Sequence, residues 1–101
     1  MAEPLQITFR HMESSDALRE LANEKLRKLQ SHHPDAINCH VVVDAAGSHR
    51  KGNECITHVE LTVGGQHTRI AAEATHEDAY TGMRHAFENL KRQIESHSAK
   101  R

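Results

Sequence analysis

The chain has 101 residues, of which 37% are apolar and only Phe9, Tyr80 and Phe87 are aromatic. That length supports one hydrophobic core, built from Leu, Ile, Val and Ala, and leaves no material for a second. Thirteen Lys and Arg against fourteen Asp and Glu give a formal net charge of −1. This balance excludes a nucleic-acid site that relies on bulk charge, so any basic surface must come from how the charges are distributed.

The first residues lack the basic and apolar regions of an export signal. No apolar run approaches membrane-spanning length. The expectation is a cytoplasmic protein with no membrane association. Leu5, Ile7 and Phe9 alternate with Gln6 and Thr8, which predicts a half-buried first strand. Ser15 is placed to cap a helix, with Asp16 and Glu20 near its positive end. Leu18, Leu21, Ala22, Leu26 and Leu29 follow at helical spacing, so one face packs on a sheet. The helix is expected to end near Gln30, because His33-Pro34 disfavours continuation.

Residues 37–44 form a second predicted strand around Val41-Val42-Val43. Residues 45–53, with Gly47, Ser48, Gly52 and Asn53, read as a flexible connection. Residues 55–63 form a third strand, with Val59, Leu61 and Val63 on one face. Gly64-Gly65 suits a two-residue hairpin turn, since both positions tolerate positive φ. Residues 66–74 return with Thr68, Ile70, Ala72 and Ala74 on one face. Thr75-x-x-Asp78 resembles a capping box with Asp in place of Glu or Gln. The last helix is expected from about His76 to about His97, with Tyr80, Met83, Phe87, Leu90 and Ile94 as its apolar stripe.

The order β-α-β-β-β-α predicts an α+β fold in one domain spanning 1–101. A four-stranded sheet carries two helices on one face and leaves the other face wet. The first two strands, joined through a helix, can pair in parallel with a right-handed crossover. Double-stranded RNA-binding domains share this order, but topology alone does not give function.

The chain contains ten histidines, and six of them (His40, His49, His58, His67, His76 and His85) are nine residues apart. Their neighbours do not repeat, and the spacing crosses strands, loops and a helix, so it reads as coincidence. His40 and His58 could meet across neighbouring strands, but a metal site needs three or four converging ligands. No H-E-x-x-H, C-x-x-C or Asp-rich loop supports one. Cys39 and Cys55 fall in predicted strands, where a thiol usually acts as a small buried hydrophobe. No motif holds a nucleophile in a strained turn. The expectation is therefore no enzyme, no cofactor and no metal.

The positive charges are more informative. In the first helix acids come early and bases late, which the helix dipole explains at roughly 0.3–1 kcal/mol per charge. The dipole does not explain Lys25, which lies within the arc of Leu18, Leu21 and Leu29 at about 100° per residue. Such a lysine must extend to the edge of the apolar face, with Lys28 beside it. If that edge is the groove between the helices, both lysines face the bases of the second helix. There, Arg84 and Lys91 flank the apolar stripe with Glu88 and Glu95, while Arg92 points outward. The bland reading is a solvated face of i,i+3 and i,i+4 ion pairs, each worth a few tenths of a kcal/mol.

The stretch E-D-A-Y-T-G-M-R-H-A-F-E-N-L-K-R-Q-I, following β-α-β-β-β, resembles the ribosome hibernation-promoting factors. These are also called the ribosome-associated inhibitor, protein Y or sigma-54 modulation protein family. The first helix, D-A-L-R-E-L-A-N-E-K-L-R-K-L, is similar to the family's Ala-Leu-Arg-Glu start and its paired lysines, at Lys25 and Lys28. Asp78, Tyr80, Leu90, Arg92 and Gln93 match in the second helix. The resemblance spans Leu5 to about His97.

The resemblance implies a non-enzymatic factor that binds the small ribosomal subunit in the messenger and transfer RNA channel. Such a factor silences translation in stress or stationary phase. Lys25, Lys28, Arg84, Lys91 and Arg92 would contact rRNA phosphates, with Arg27, Arg50 and Lys51 as secondary candidates. Tyr80 is expected to be a core or helix-packing residue with its hydroxyl at the rim, not a platform on which bases stack. The end at Arg101 resembles the short class, which in some bacteria works with a separate ribosome modulation factor to pair ribosomes. Off the ribosome, a monomer is expected. The second helix departs from the family at Gly82-Met83-Arg84, Asn89, Glu95, and Ser96 or His97, which thins its basic face. An alternative is therefore a protein-interaction module of the same fold with a weakened RNA surface.

Overall fold

A computed structural model describes residues 5–45, 54–64 and 68–99. The elements are β1 (Leu5–Arg10), α1 (Asp16–His32), β2 (Ala36–Asp44), β3 (Cys55–Val63), β4 (Thr68–His76) and α2 (Ala79–Ala99). The sheet order is β1-β2-β3-β4. β1 pairs with β2 in parallel, and the other two pairings are antiparallel. The α+β class and the β-α-β-β-β-α order are as the periodicities predict. Arg50 and Lys51 lie outside the described residues, as do His49, His67 and Gly65.

Alternation along each strand decides which face is covered. Leu5, Cys39, Val41, Val43, Thr57, Val59, Leu61, Ile70 and Ala72 are buried on one side. Leu18, Ala22, Leu26 and Leu29 of α1 meet them, as do Met83, Ala86, Phe87, Leu90 and Ile94 of α2. Burial pushes the Cys39 thiol up to about 12, as expected for a structural cysteine deprived of solvent. The opposite face carries polar groups. His11 Nδ1 donates to Asp44 at 2.9 Å, His40 Nε2 lies 3.2 Å from Thr8 Oγ1, and His58 faces Glu73 at 3.6 Å. His40 lies opposite Glu60 and His58 opposite Val42, so the two imidazoles are diagonal rather than facing. No group of three metal-ligating side chains forms among the described residues.

Local sequence sets the helix ends. The Ser15 hydroxyl accepts from the Leu18 amide at 3.2 Å, as the capping pattern predicts. α1 runs two residues past Gln30, and the His33 amide closes it on Leu29 O at 2.8 Å. The start of α2 differs from the predicted capping box. β4 continues through His76, which pairs with Cys55, so Thr75 is still in the strand. Asp78 itself takes the capping role, accepting from the Tyr80 amide at 3.2 Å and the Thr81 hydroxyl at 2.7 Å. The Thr81 hydroxyl bond holds the Asp78 carboxyl below its ordinary range, against some desolvation, with the Tyr80 and Thr81 amides and His76 adding to the effect. This depressed value means that Asp78 supports the helix start above the ordinary carboxylate range. The support fades as pH falls through the lower folded value.

Tyr80, expected in the apolar stripe, is 39% exposed. It is the second residue of α2 and so stands at the N-terminal end of the stripe.

β4 is a sheet edge, and α2 covers it with two amides one helical turn apart. Gln93 Nε2 donates to Ala71 O at 2.6 Å and Asn89 Nδ2 to Glu73 O at 3.4 Å. Occupied carbonyls make a poor template for another strand.

One buried polar atom among the described residues lacks a partner: Thr57 Oγ1, in a fully buried side chain beneath Gly82. Leaving a hydroxyl unpaired in an apolar site costs about 1–3 kcal/mol, and valine has nearly the same shape. Thr57→Val is therefore expected to stabilise the fold by about 1 kcal/mol. Thermal unfolding should rise by roughly 4–8 °C for a domain of this size. A lower melting temperature would show that the hydroxyl is paired.

Candidate nucleic-acid interface

α1 lies over β1 and β2, and α2 over β3 and β4, so the helices flank each other along the middle of the sheet. Between them runs a groove of about 380 Å³. α1 contributes Lys25, Lys28, Leu29 and His32 to its lining, with His33 just beyond the helix. α2 contributes Arg84, Phe87, Glu88 and Lys91. Leu29 and Phe87 are nearly buried and belong to the core, so the groove has an apolar floor and a basic rim.

Helical geometry explains the placement. Lys25 is half-buried and lines the groove on the flank of α1 that faces α2, as expected of a lysine beside an apolar stripe. Lys28, one turn on, is exposed and meets Glu24 at 3.8 Å. An exposed i,i+4 pair of this kind is worth about 0.3–0.5 kcal/mol, so Lys28 stays available. On α2, Arg84 and Lys91 are seven residues apart and fall on the same flank. The expected ladder of ion pairs through Glu88 and Glu95 does not form. Neither Arg84 nor Lys91 pairs with a carboxylate among the described residues. Four cations and one carboxylate thus line the groove of a chain whose net charge is −1.

Lys25, Lys28, Arg84 and Lys91 are therefore brought together. Arg92 is not: one residue past Lys91, it turns about 100° to the exposed outer face of α2. Arg27 is likewise exposed and outside the groove. Asn89 bonds to the β4 edge and lies outside the groove lining. His32 and His33 line the groove although no motif marks them. The turn after α1, not sequence spacing, brings them there. Their only sequence signal is adjacency to the basic end of that helix.

An apolar floor with a basic rim suits a polyanion read by backbone and shape rather than by base edges. Comparison with known proteins agrees in fold and family. The chain is 28% identical over 96 residues to a ribosome hibernation promoting factor of Pseudomonas putida, covering 95% of this chain and 87% of that protein. A ribosomal subunit interface protein from Coxiella burnetii superposes with a TM-score of 0.79 at 24% identity, covering 94% of this chain and 97% of the other. The N-terminal domain of Thermus thermophilus protein Y gives 0.72 at 22% identity over 87% and 90% of the two chains. These two structures establish the shared fold. The model of one family, described as sigma 54 modulation protein / S30EA ribosomal protein, matches residues 5–101, and the chain belongs to that family.

Proposed function

We propose that this chain is a hibernation factor that binds the small ribosomal subunit and inhibits translation by occupying the messenger and transfer RNA channel. It acts by binding rather than by chemistry, in the cytoplasm where ribosomes are. Lys25, Lys28, Arg84 and Lys91 contact rRNA phosphates across the groove, and Arg92 adds a peripheral contact. One observation carries this reading: four cations and a single carboxylate line one groove in a protein that is acidic overall. Family membership and the name of the Pseudomonas relative support it. A separate ribosome modulation factor is a candidate helper, and the chain is a monomer off the ribosome.

Co-sedimentation with purified bacterial small ribosomal subunits at graded salt tests the proposal. The four groove contacts at roughly 0.7–0.9 each predict a log–log salt slope near −3, or about a 100-fold loss between 50 and 200 mM salt, and the peripheral Arg92 contact steepens the slope by up to about one more. Glu60→Lys, on the wet face opposite His40, should leave affinity within about twofold, since that face cannot share the helix groove. Absence of binding at 50 mM salt would instead favour a protein-interaction module. A large gain from Glu60→Lys would move the RNA site to the open sheet.

A further inference from the structure

We infer that His32 and His33 are anion-contacting residues of the groove and make its affinity for RNA depend on protons. The inference rests on the reading of the groove as an RNA phosphate site. Imidazole is the side chain whose ordinary charge change falls between pH 5 and 8. Two imidazoles here lie in one lining with four permanent cations.

Their positions are built by the fold. His32 is the last residue of α1. His33 is held by its backbone at both ends: its amide donates to Leu29 O at 2.8 Å, and its carbonyl accepts from the Ala36 amide at 3.0 Å. Gln30 Nε2 adds a bond to Ala36 O at 2.8 Å, which fixes the turn further. A favourable contact with the negative end of the helix dipole explains a histidine at position 32. It does not explain why the next residue, already outside the helix, opens onto the same groove.

The charges around the two rings set the direction of the effect. Lys25 and Lys28 from α1, with Arg84 and Lys91 from α2, give the free groove its positive charges. Glu88 gives it one negative charge. A phosphate backbone in the groove reverses the balance, because each imidazolium then gains an anionic acceptor. Binding therefore takes up protons. By linkage, affinity is higher where imidazole carries its proton and falls as pH rises through imidazole's ordinary range.

The test is sedimentation with purified small ribosomal subunits at 100 mM salt between pH 6.0 and 8.0. It compares wild type, the His32→Asn/His33→Asn variant, and His40→Asn on the opposite sheet face. Circular dichroism checks the fold of each at both ends of the range. Wild type and His40→Asn should bind about tenfold more tightly at pH 6.0 than at pH 8.0. The double variant should vary by less than about twofold and match wild type at pH 8.0. The wild-type salt slope should also steepen by roughly one to two at the lower pH. A double variant as pH-dependent as wild type overturns the inference but leaves the ribosomal reading standing. Absence of wild-type binding at every pH in 50 mM salt overturns both.

Discussion

Replacing Lys25 and Lys28 together with glutamate is expected to abolish ribosome binding and leave the fold intact. The groove now carries four cations and one carboxylate, a formal +3; the double variant carries two cations and three carboxylates, a formal −1. The surface thus changes from attracting a phosphate backbone to repelling it. Affinity should fall at least 100-fold at 100 mM salt, and the salt slope should shrink by about two, one for each phosphate contact removed.

The cost to stability is small for identifiable reasons. Lys28 is exposed, and its pair with Glu24 is a 3.8 Å surface contact. Exchanging that pair for like charges at i,i+4 costs a few tenths of a kcal/mol. Lys25 is half-buried, and losing its packed stem adds a comparable amount. Thermal melts within about 5 °C of wild type, together with loss of co-sedimentation, are the expected pair of results. Binding within threefold of wild type by a folded double variant would remove the groove from consideration.

The sheet and most of the groove were legible because both follow from short-range periodicity. Alternation at Val59-Leu61-Val63 and at Ile70-Ala72-Ala74 identifies strands whose inner faces need cover. The position of Lys25 inside an apolar arc then predicts a lysine at the edge of that cover. The structure places Lys25 and Lys28 opposite Arg84 and Lys91 accordingly.

What the sequence concealed depends on contacts between elements. Thr75-x-x-Asp78 has the local form of a helix start, but pairing of His76 with Cys55 keeps the chain extended, and the cap moves to Asp78. Asn89 reads as a lost cation until its bond to the β4 edge is seen. His32 and His33 reach the groove through a turn that no spacing rule describes. In each case a tertiary contact overrode or supplied what the local pattern lacked.

Phe87→Ala is expected to produce the largest loss of stability of any change at the groove. Phe87 is 5% exposed and packs within the core while also forming the groove floor with Leu29. Truncating a buried phenylalanine costs about 3–5 kcal/mol, from lost transfer free energy and from the void left behind. A domain of this class has about 5–15 kcal/mol in total, so the variant should still fold when cold but melt at least 12 °C lower.

Phe87→Leu separates packing from recognition. It keeps an apolar floor and most of the volume, should cost less than about 2 kcal/mol, and should bind ribosomes within threefold of wild type at 10 °C. Phe87→Ala at the same temperature should bind more weakly than its folded fraction alone accounts for, because the floor helps to seat α2 beside α1 and so sets the distance between Lys25 and Lys91. A Phe87→Ala protein that melts within a few degrees of wild type would mean that α2 is not seated on the core as described. A stable Phe87→Leu protein that fails to bind would mean that the aromatic ring itself contacts the RNA.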